Sequence, residues 1–266
     1  SVYGVRDGHP QLVVMDTTDE ATIHGAASRL DPAKTLFLVA TKSGGTIEVA
    51  SQEKLFWAQV SRALGARAGR QFVAVTDPGT GLASLARQRG YRHAFINPAD
   101  IGGRFSALSL FGLVPAALIG APARDMLAAG ADMAAGCLQE NQQNPGLELG
   151  AFVGDAAKAG RDKLTVLLPP SMRLLGLWIE QLVAESTGKH GKGSLPVVDE
   201  PLGSPSDYGA DRCFVSLSTD KDGPDRDRVQ ALEDAGHPVV RLTTRAHALG
   251  AEFFRWEFAT AVAGAV

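Results

Sequence analysis

Thr35-Leu36-Phe37-Leu38-Val39-Ala40 runs directly into Thr41-Lys42-Ser43-Gly44-Gly45-Thr46-Ile47-Glu48. The first stretch is apolar without alternation, which predicts a strand buried on both faces, as in a parallel sheet. The second is polar and glycine-bearing, and it opens a helical pattern expected from about Thr46 to Arg67. Strand, tight polar turn and helix in that order form the front half of a βαβ unit.

The same rhythm extends in both directions. Upstream, Leu12–Asp16 reads as a strand, followed by a helix-like stretch to Leu30. Downstream, Phe72–Val75 and His93–Ile96 read as strands, with a short helix around Ser84 between them. A helix-rich stretch from Ser106 to Gly160 follows, with breaks near Gly120-Ala121-Pro122 and Asn144-Pro145-Gly146. The rhythm then restarts: a strand at Leu164–Leu168, a helix from Pro170 to Ser186, strands at Cys213–Leu217 and Val239–Leu242 around a helix from Asp225 to Ala235, and a last helix from His247. Alternating strands and helices predict the α/β class with mainly parallel sheets. We expect two α/β/α sandwich subdomains joined by helices, residues 1–140 and 141–266; a single large sheet is the alternative. The loop from Val198 to Arg212 is long for a compact domain, and such loops are often functional. The sequence ends inside an apolar helical pattern at Ala263-Gly264-Ala265-Val266, which suggests a piece of a longer chain.

Composition narrows the function classes. The chain has 266 residues, 45% hydrophobic and 21% charged, ordinary values for a globular protein. A net charge of -3 gives no electrostatic case for nucleic acid or an anionic membrane. No apolar run is long enough to span a bilayer. Two distant cysteines, Cys137 and Cys213, form neither a metal-ligand spacing nor a disulfide framework, and a reducing compartment is the simplest reading.

Chemistry points first to residues 41–48. In open parallel sheets ligands sit beyond the carboxyl ends of strands. A helix N-terminus offers unpaired N–H groups to a phosphate. Gly44 and Gly45 allow close backbone approach, and Thr41, Ser43 and Thr46 add hydroxyl donors. Neither a P-loop nor a dinucleotide fingerprint is present, so a monophosphate fits better than a nucleotide. The competing reading is a helix cap with incidental hydroxyls.

Thr41–Glu48 also resembles the phosphate loop of phosphoglucose isomerases, a loop type found more loosely across sugar isomerase (SIS) domains. Gly102-Gly103-Arg104-Phe105-Ser106 resembles the family's Gly-Gly-Arg-(Tyr/Phe)-Ser signature. Ala184-Glu185-Ser186-Thr187-Gly188-Lys189 resembles its Glu-Ser-x-Gly-Lys segment, and Trp256–Gly264 its late helix. The four lie in family order over most of the chain. Asp199-Glu200-Pro201 and Tyr208–Arg212 are most similar to the isomerase half of bacterial transaldolase–isomerase fusions.

The resemblance implies two SIS-like subdomains and a metal- and cofactor-free aldose–ketose isomerase acting on glucose 6-phosphate. A non-catalytic sugar-phosphate-binding module and a dual phosphoglucose/phosphomannose isomerase stay open. Thr41, Lys42, Ser43 and Thr46 are expected to hold the sugar phosphate, Lys42 more through its backbone than its charge. Arg104 is expected to stabilise enediolate charge and Glu185 to move the proton between C1 and C2. Glu48, Gly103, Gln181 and Lys189 are further candidates for the same site. The partners implied are a small sugar phosphate, a second copy in a homodimer, and a transaldolase domain fused to or associated with the chain, in the cytoplasm. The family's Gly-x-Gly-Gly-Ser loop, its late lysine and its ring-opening histidine have no counterpart here: no histidine falls between Pro201 and Arg212.

Overall fold

The computed structural model describes residues 3–139 and 144–266. The chain divides into two compact units, Val5–Ala121 and Pro122–Val266, the latter joined by the first residues of the chain.

The Val5–Ala121 unit carries a three-stranded parallel sheet of β1 (Phe37–Ala40), β2 (Phe72–Thr76) and β3 (His93–Ile96), in that order. Helices α1 (Glu20–Ala27), α2 (Ile47–Leu64), α3 (Gly81–Gln88) and α4 (Leu110–Leu118) accompany it. Every residue of β2 is buried, as its central place between two strands requires. Its Phe72 is the hub of an aromatic cluster, with ring centroids 4.9 Å from Phe37, 5.3 Å from Trp57 and 5.1 Å from Tyr91. Glu53 of α2 is buried against this cluster, ion-paired to Arg89 and accepting a 2.5 Å hydrogen bond from the Tyr91 hydroxyl. Burial beside that carboxylate pushes the Tyr91 phenol up.

The Pro122–Val266 unit carries α5 (Ala123–Cys137), α6 (Pro145–Lys158), β4 (Lys163–Leu167), α7 (Leu175–Thr187), β5 (Leu195–Val198), β6 (Arg212–Thr219), α8 (Arg226–Asp234), β7 (Val239–Thr244) and α9 (Leu249–Ala265). Its parallel sheet runs β5-β4-β6-β7. Asn144 caps α6 by accepting from Leu147 N–H at 2.9 Å, with Pro145 at the first helical position, so the sequence break falls where the helix starts. One face of α6 is glycine at every fourth residue. A Cβ on Gly146 would stand 2.6 Å from Phe258 Cδ1, one on Gly150 2.5 Å from Val262 Cβ, and one on Gly154 2.8 Å from Val266 Cβ. The side chains of α9 and the residue after it thus lie directly on the backbone of α6.

The α/β class with parallel sheets holds, and the pairing forms two separate sheets rather than one. Two sequence expectations are corrected. Leu12–Asp16 is not a strand: no ladder partner holds it among the described residues, and Val13 and Val14 are 60% and 67% exposed. Apolarity alone suggested it, but a strand needs a neighbouring edge to pair with. The helix after it also stops at Ala27, short of Leu30. Conversely, Leu195–Val198 is a strand that the sequence pattern does not announce.

Helix α9 buries charge. Glu252 is fully buried, 3.3 Å from the Arg255 guanidinium. Burial pushes the Glu257 carboxyl up to about 8. Among the described residues its Oε1 is buried without a hydrogen-bond partner. An unfolded glutamate titrates at about 4.3. Between the two values the folded chain keeps a proton that the unfolded chain has released. The contribution is therefore favourable below the unfolded pKa and is lost as pH rises towards about 8. Glu257→Gln is expected to raise the Tm in a thermal melt at about pH 8.5 and to change it far less at about pH 5.

Candidate functional site

In the Val5–Ala121 unit, the turn between β1 and α2 lies at the carboxyl end of the parallel sheet. Thr41 N–H donates to Val75 O at 3.1 Å, continuing the strand ladder by one residue. The Lys42 carbonyl accepts from Asp77 N–H at 3.3 Å and from the Thr76 hydroxyl at 3.4 Å. The turn is closed by Thr41 Oγ1 and Thr46 Oγ1, 3.0 Å apart, and by Gly45 N–H donating to Ser43 Oγ at 3.1 Å. Thr46 is the N-cap of α2 in extended conformation, and its side chain makes no cap bond. The first-turn amides of α2 thus carry no side-chain cap from Thr46, and they face the side from which the turn approaches.

Gly44 explains how the turn is so tight. Its φ is +68°, and a Cβ there would lie 2.9 Å from Thr80 Cβ and 3.1 Å from Leu82 N, at the N-terminus of α3. The turn therefore sits against a second helix start. Gly44→Ala combines left-handed strain of about 1–2 kcal/mol with a clash against Thr80 Cβ and tight contact with the Leu82 amide. Its expected result is a Tm several degrees lower, read by circular dichroism.

The arginine turn adjoins the same loop. Asn97, buried, donates its N–H to Thr76 O at 2.8 Å and accepts from Leu110 N–H at 3.1 Å through Oδ1. It thereby fastens both ends of the segment that carries Arg104. Gly103–Phe105 is a 3-10 turn, with Ser106 Oγ donating to Gly103 O at 2.6 Å. Arg104 is half-buried within it. Lys42 crosses towards this turn: a Cβ on Gly103 would meet Lys42 Cδ at 3.9 Å. The Lys42 ammonium lies 2.8 Å from Asp77 Oδ2 and 5.7 Å from the Phe111 ring centroid. The structure thus brings Thr41, Lys42, Ser43, Thr46 and Gly103 into one cluster. Glu48 faces elsewhere. It is exposed in the first turn of α2 and lines an open groove with Thr17, Ile23 and Gln52.

In the Pro122–Val266 unit, α7 starts beyond the carboxyl end of β4 and returns to where β5 begins. Glu185, near its end, therefore sits at the amino side of that sheet, and the carboxyl-edge rule does not locate it. Gln181 lies one turn earlier and donates Nε2 to Glu185 Oε1 at 3.3 Å; the pair is solvent-exposed. Lys189 belongs to a short turn in which its N–H donates to Lys192 O at 2.9 Å and its carbonyl accepts from Lys192 N–H at 3.0 Å. The Val198–Arg212 loop is strapped down. Arg173 Nε donates to Asp199 at 2.6 Å, Arg212 reaches Glu200 at 3.0 Å, and the Tyr208 hydroxyl accepts from Gly203 N–H at 2.7 Å. Hydrogen bonding from Arg173 holds the Asp199 carboxyl below its usual range. Among the described residues no cluster of three or more His, Cys, Asp or Glu could hold a metal ion, and no helix is long and apolar enough to cross a membrane.

Sequence reasoning does not single out Asp77 and Asn97. The available signal is position: each directly follows a strand, at the same edge as the turn of residues 41–46.

A scan of protein-family models finds no match. The chain is 34% identical over 185 residues to the glucose-6-phosphate isomerase of Carboxydothermus hydrogenoformans, covering 68% of this chain and 40% of that protein. It is 37% identical over 188 residues to the glucose-6-phosphate isomerase of Thermosynechococcus vestitus, covering 68% of this chain and 35% of that one. The chain thus spans less than half the length of these curated relatives. Among solved structures, a hypothetical protein of Thermus thermophilus superposes with a TM-score of 0.83 at 23% identity, covering 94% of this chain and 70% of that one.

Proposed function

The chain belongs to the glucose-6-phosphate isomerase family, and from that premise we propose that it interconverts D-glucose 6-phosphate and D-fructose 6-phosphate through an enediol, a step of glycolysis and gluconeogenesis. The observation that carries the reading is the hydroxyl-rich turn of residues 41–46 at a helix start, beside the Gly103–Phe105 turn, at the carboxyl edge of a parallel sheet.

In this reading the hydroxyls of Thr41, Ser43 and Thr46 and the amides of the loop, Lys42 included, hold the phosphate. Binding a remote phosphate orients the reacting carbons, which speeds reaction at C1 and C2. Glu185 takes the proton from one carbon and returns it to the other. Arg104 stabilises the negative oxygen of the enediolate without itself titrating. Gln181 orients the Glu185 carboxylate through the bond between them. Gly103 and Lys189 are assigned supporting places around the substrate; Glu48, which lines a separate groove, is given none. We read the chain as cytoplasmic and homodimeric, with a transaldolase domain as fused or associated partner; the similarity of Asp199–Pro201 and Tyr208–Arg212 to such fusions supports the last.

The test is a coupled isomerase assay on this chain with fructose 6-phosphate and EDTA. Turnover that survives EDTA is expected. Absence of turnover, with fructose 6-phosphate still raising the Tm, would favour a binding module instead.

A further inference from the structure

Resting on that reading of the phosphate loop, we propose that Asp77 is a positioning residue that withholds the charge of Lys42 from the bound phosphate. Lys42 is the one cationic residue within the turn of residues 41–48. A loop lysine at a helix start is ordinarily taken as a direct phosphate ligand, acting as a mobile point charge. Here its ammonium is already engaged. Both Asp77 carboxylate oxygens lie within reach, Oδ2 at 2.8 Å and Oδ1 at 3.0 Å. The Phe111 ring lies near the ammonium at 5.7 Å, and the stem passes beside Gly103. The pair is partly buried, with side-chain exposures of 26% and 16%. An ion pair sheltered in this way is screened less than a surface pair.

Asp77 also holds the other end of the same residue. Its N–H donates to the Lys42 carbonyl at 3.3 Å, and the neighbouring Thr76 hydroxyl donates there too. Lys42 is therefore fixed at its backbone and at its ammonium by consecutive residues leaving β2. The consequence is chemical. The loop meets a phosphate dianion with amides and hydroxyls, and the net charge of the Lys42–Asp77 pair is zero. Such a site binds by geometry, with affinity moderate enough to release a product that carries the same phosphate as the substrate.

The experiment is isothermal titration of this chain with inorganic phosphate and with fructose 6-phosphate, at two ionic strengths. Asp77→Asn is nearly isosteric and keeps the backbone N–H, so the fold should persist, and circular dichroism checks that. The expected result is phosphate binding tightened about 3- to 10-fold, with a steeper loss on adding salt, because a freed ammonium adds an unpaired charge. Asp77→Glu should restore the wild-type salt dependence. The gain should vanish in the double variant Asp77→Asn/Lys42→Met. Weaker binding by folded Asp77→Asn, or a gain that survives loss of Lys42, would overturn the proposal. A merely structural Asp77 predicts weakening and an unchanged salt slope, so the sign of the change discriminates. If the wild type binds neither anion, the reading of the phosphate loop fails as well; if it binds both and only the Asp77 effect is missing, the loop reading stands.

Discussion

Glu185→Gln is expected to lower kcat for fructose 6-phosphate by about 10²–10⁴-fold, the range for removing a positioned general base, while leaving sugar-phosphate affinity nearly unchanged. The substitution keeps the size of the side chain. It replaces a carboxylate that can accept a carbon-bound proton with an amide that cannot. The Gln181 amide, 3.3 Å away, finds an oxygen to donate to in either case. This contact is solvent-exposed near the end of α7, so stability should move little. A steady-state assay beside a thermal melt reads both quantities. Full activity in a folded Glu185→Gln chain would remove this residue from the chemistry.

The second large effect is expected at Arg104. Arg104→Ala should lower kcat by about 10²–10³-fold, the range for losing one group aimed at developing charge. Arg104→Lys should recover only part of the loss, because a lysine keeps the charge without the planar fork. The turn that carries it is held by Asn97, by Ser106 and by the bond from Phe105 N–H to Gly102 O at 3.1 Å, none of which uses the guanidinium. A loss confined to kcat, with fructose 6-phosphate still raising the Tm to the same extent, would separate transition-state stabilisation from substrate binding. An equal loss from the lysine and alanine variants would point to the fork itself.

The strands in sheet interiors could be read from the sequence because burial on both faces leaves an unbroken apolar run. β2 shows this at Phe72–Thr76, where every residue is buried. Of the edge strands, β1, β3 and β7 are legible and β5 is not. β5 lies at the edge of its sheet, contains Pro196 and exposes Leu195 at 56%. A proline in a short apolar run argues against a strand, yet an edge position tolerates it. Leu12–Asp16 differs in the opposite direction, an apolar run that pairs with no strand among the described residues. The turn of residues 41–46 is legible because strand, hydroxyl-rich turn and helix are contiguous. Asp77 is not, because Asp77-Pro78-Gly79 reads as an ordinary turn; its meaning comes from a lysine brought to it by parallel pairing of β1 and β2.

The glycine face of α6 has a consequence for how the protein opens and closes. Each glycine in a helix interior weakens it by about 1 kcal/mol relative to alanine, so α6 gains little from its own propensity at Gly150 and Gly154. What holds it is α9, whose Phe258 and Val262 fill the space a Cβ would have taken. The two helices should therefore exchange their amide protons as one cooperative unit, with a common free energy of opening. Those of α2, whose apolar residues Phe56 and Val60 are buried in a separate core, should follow a different one.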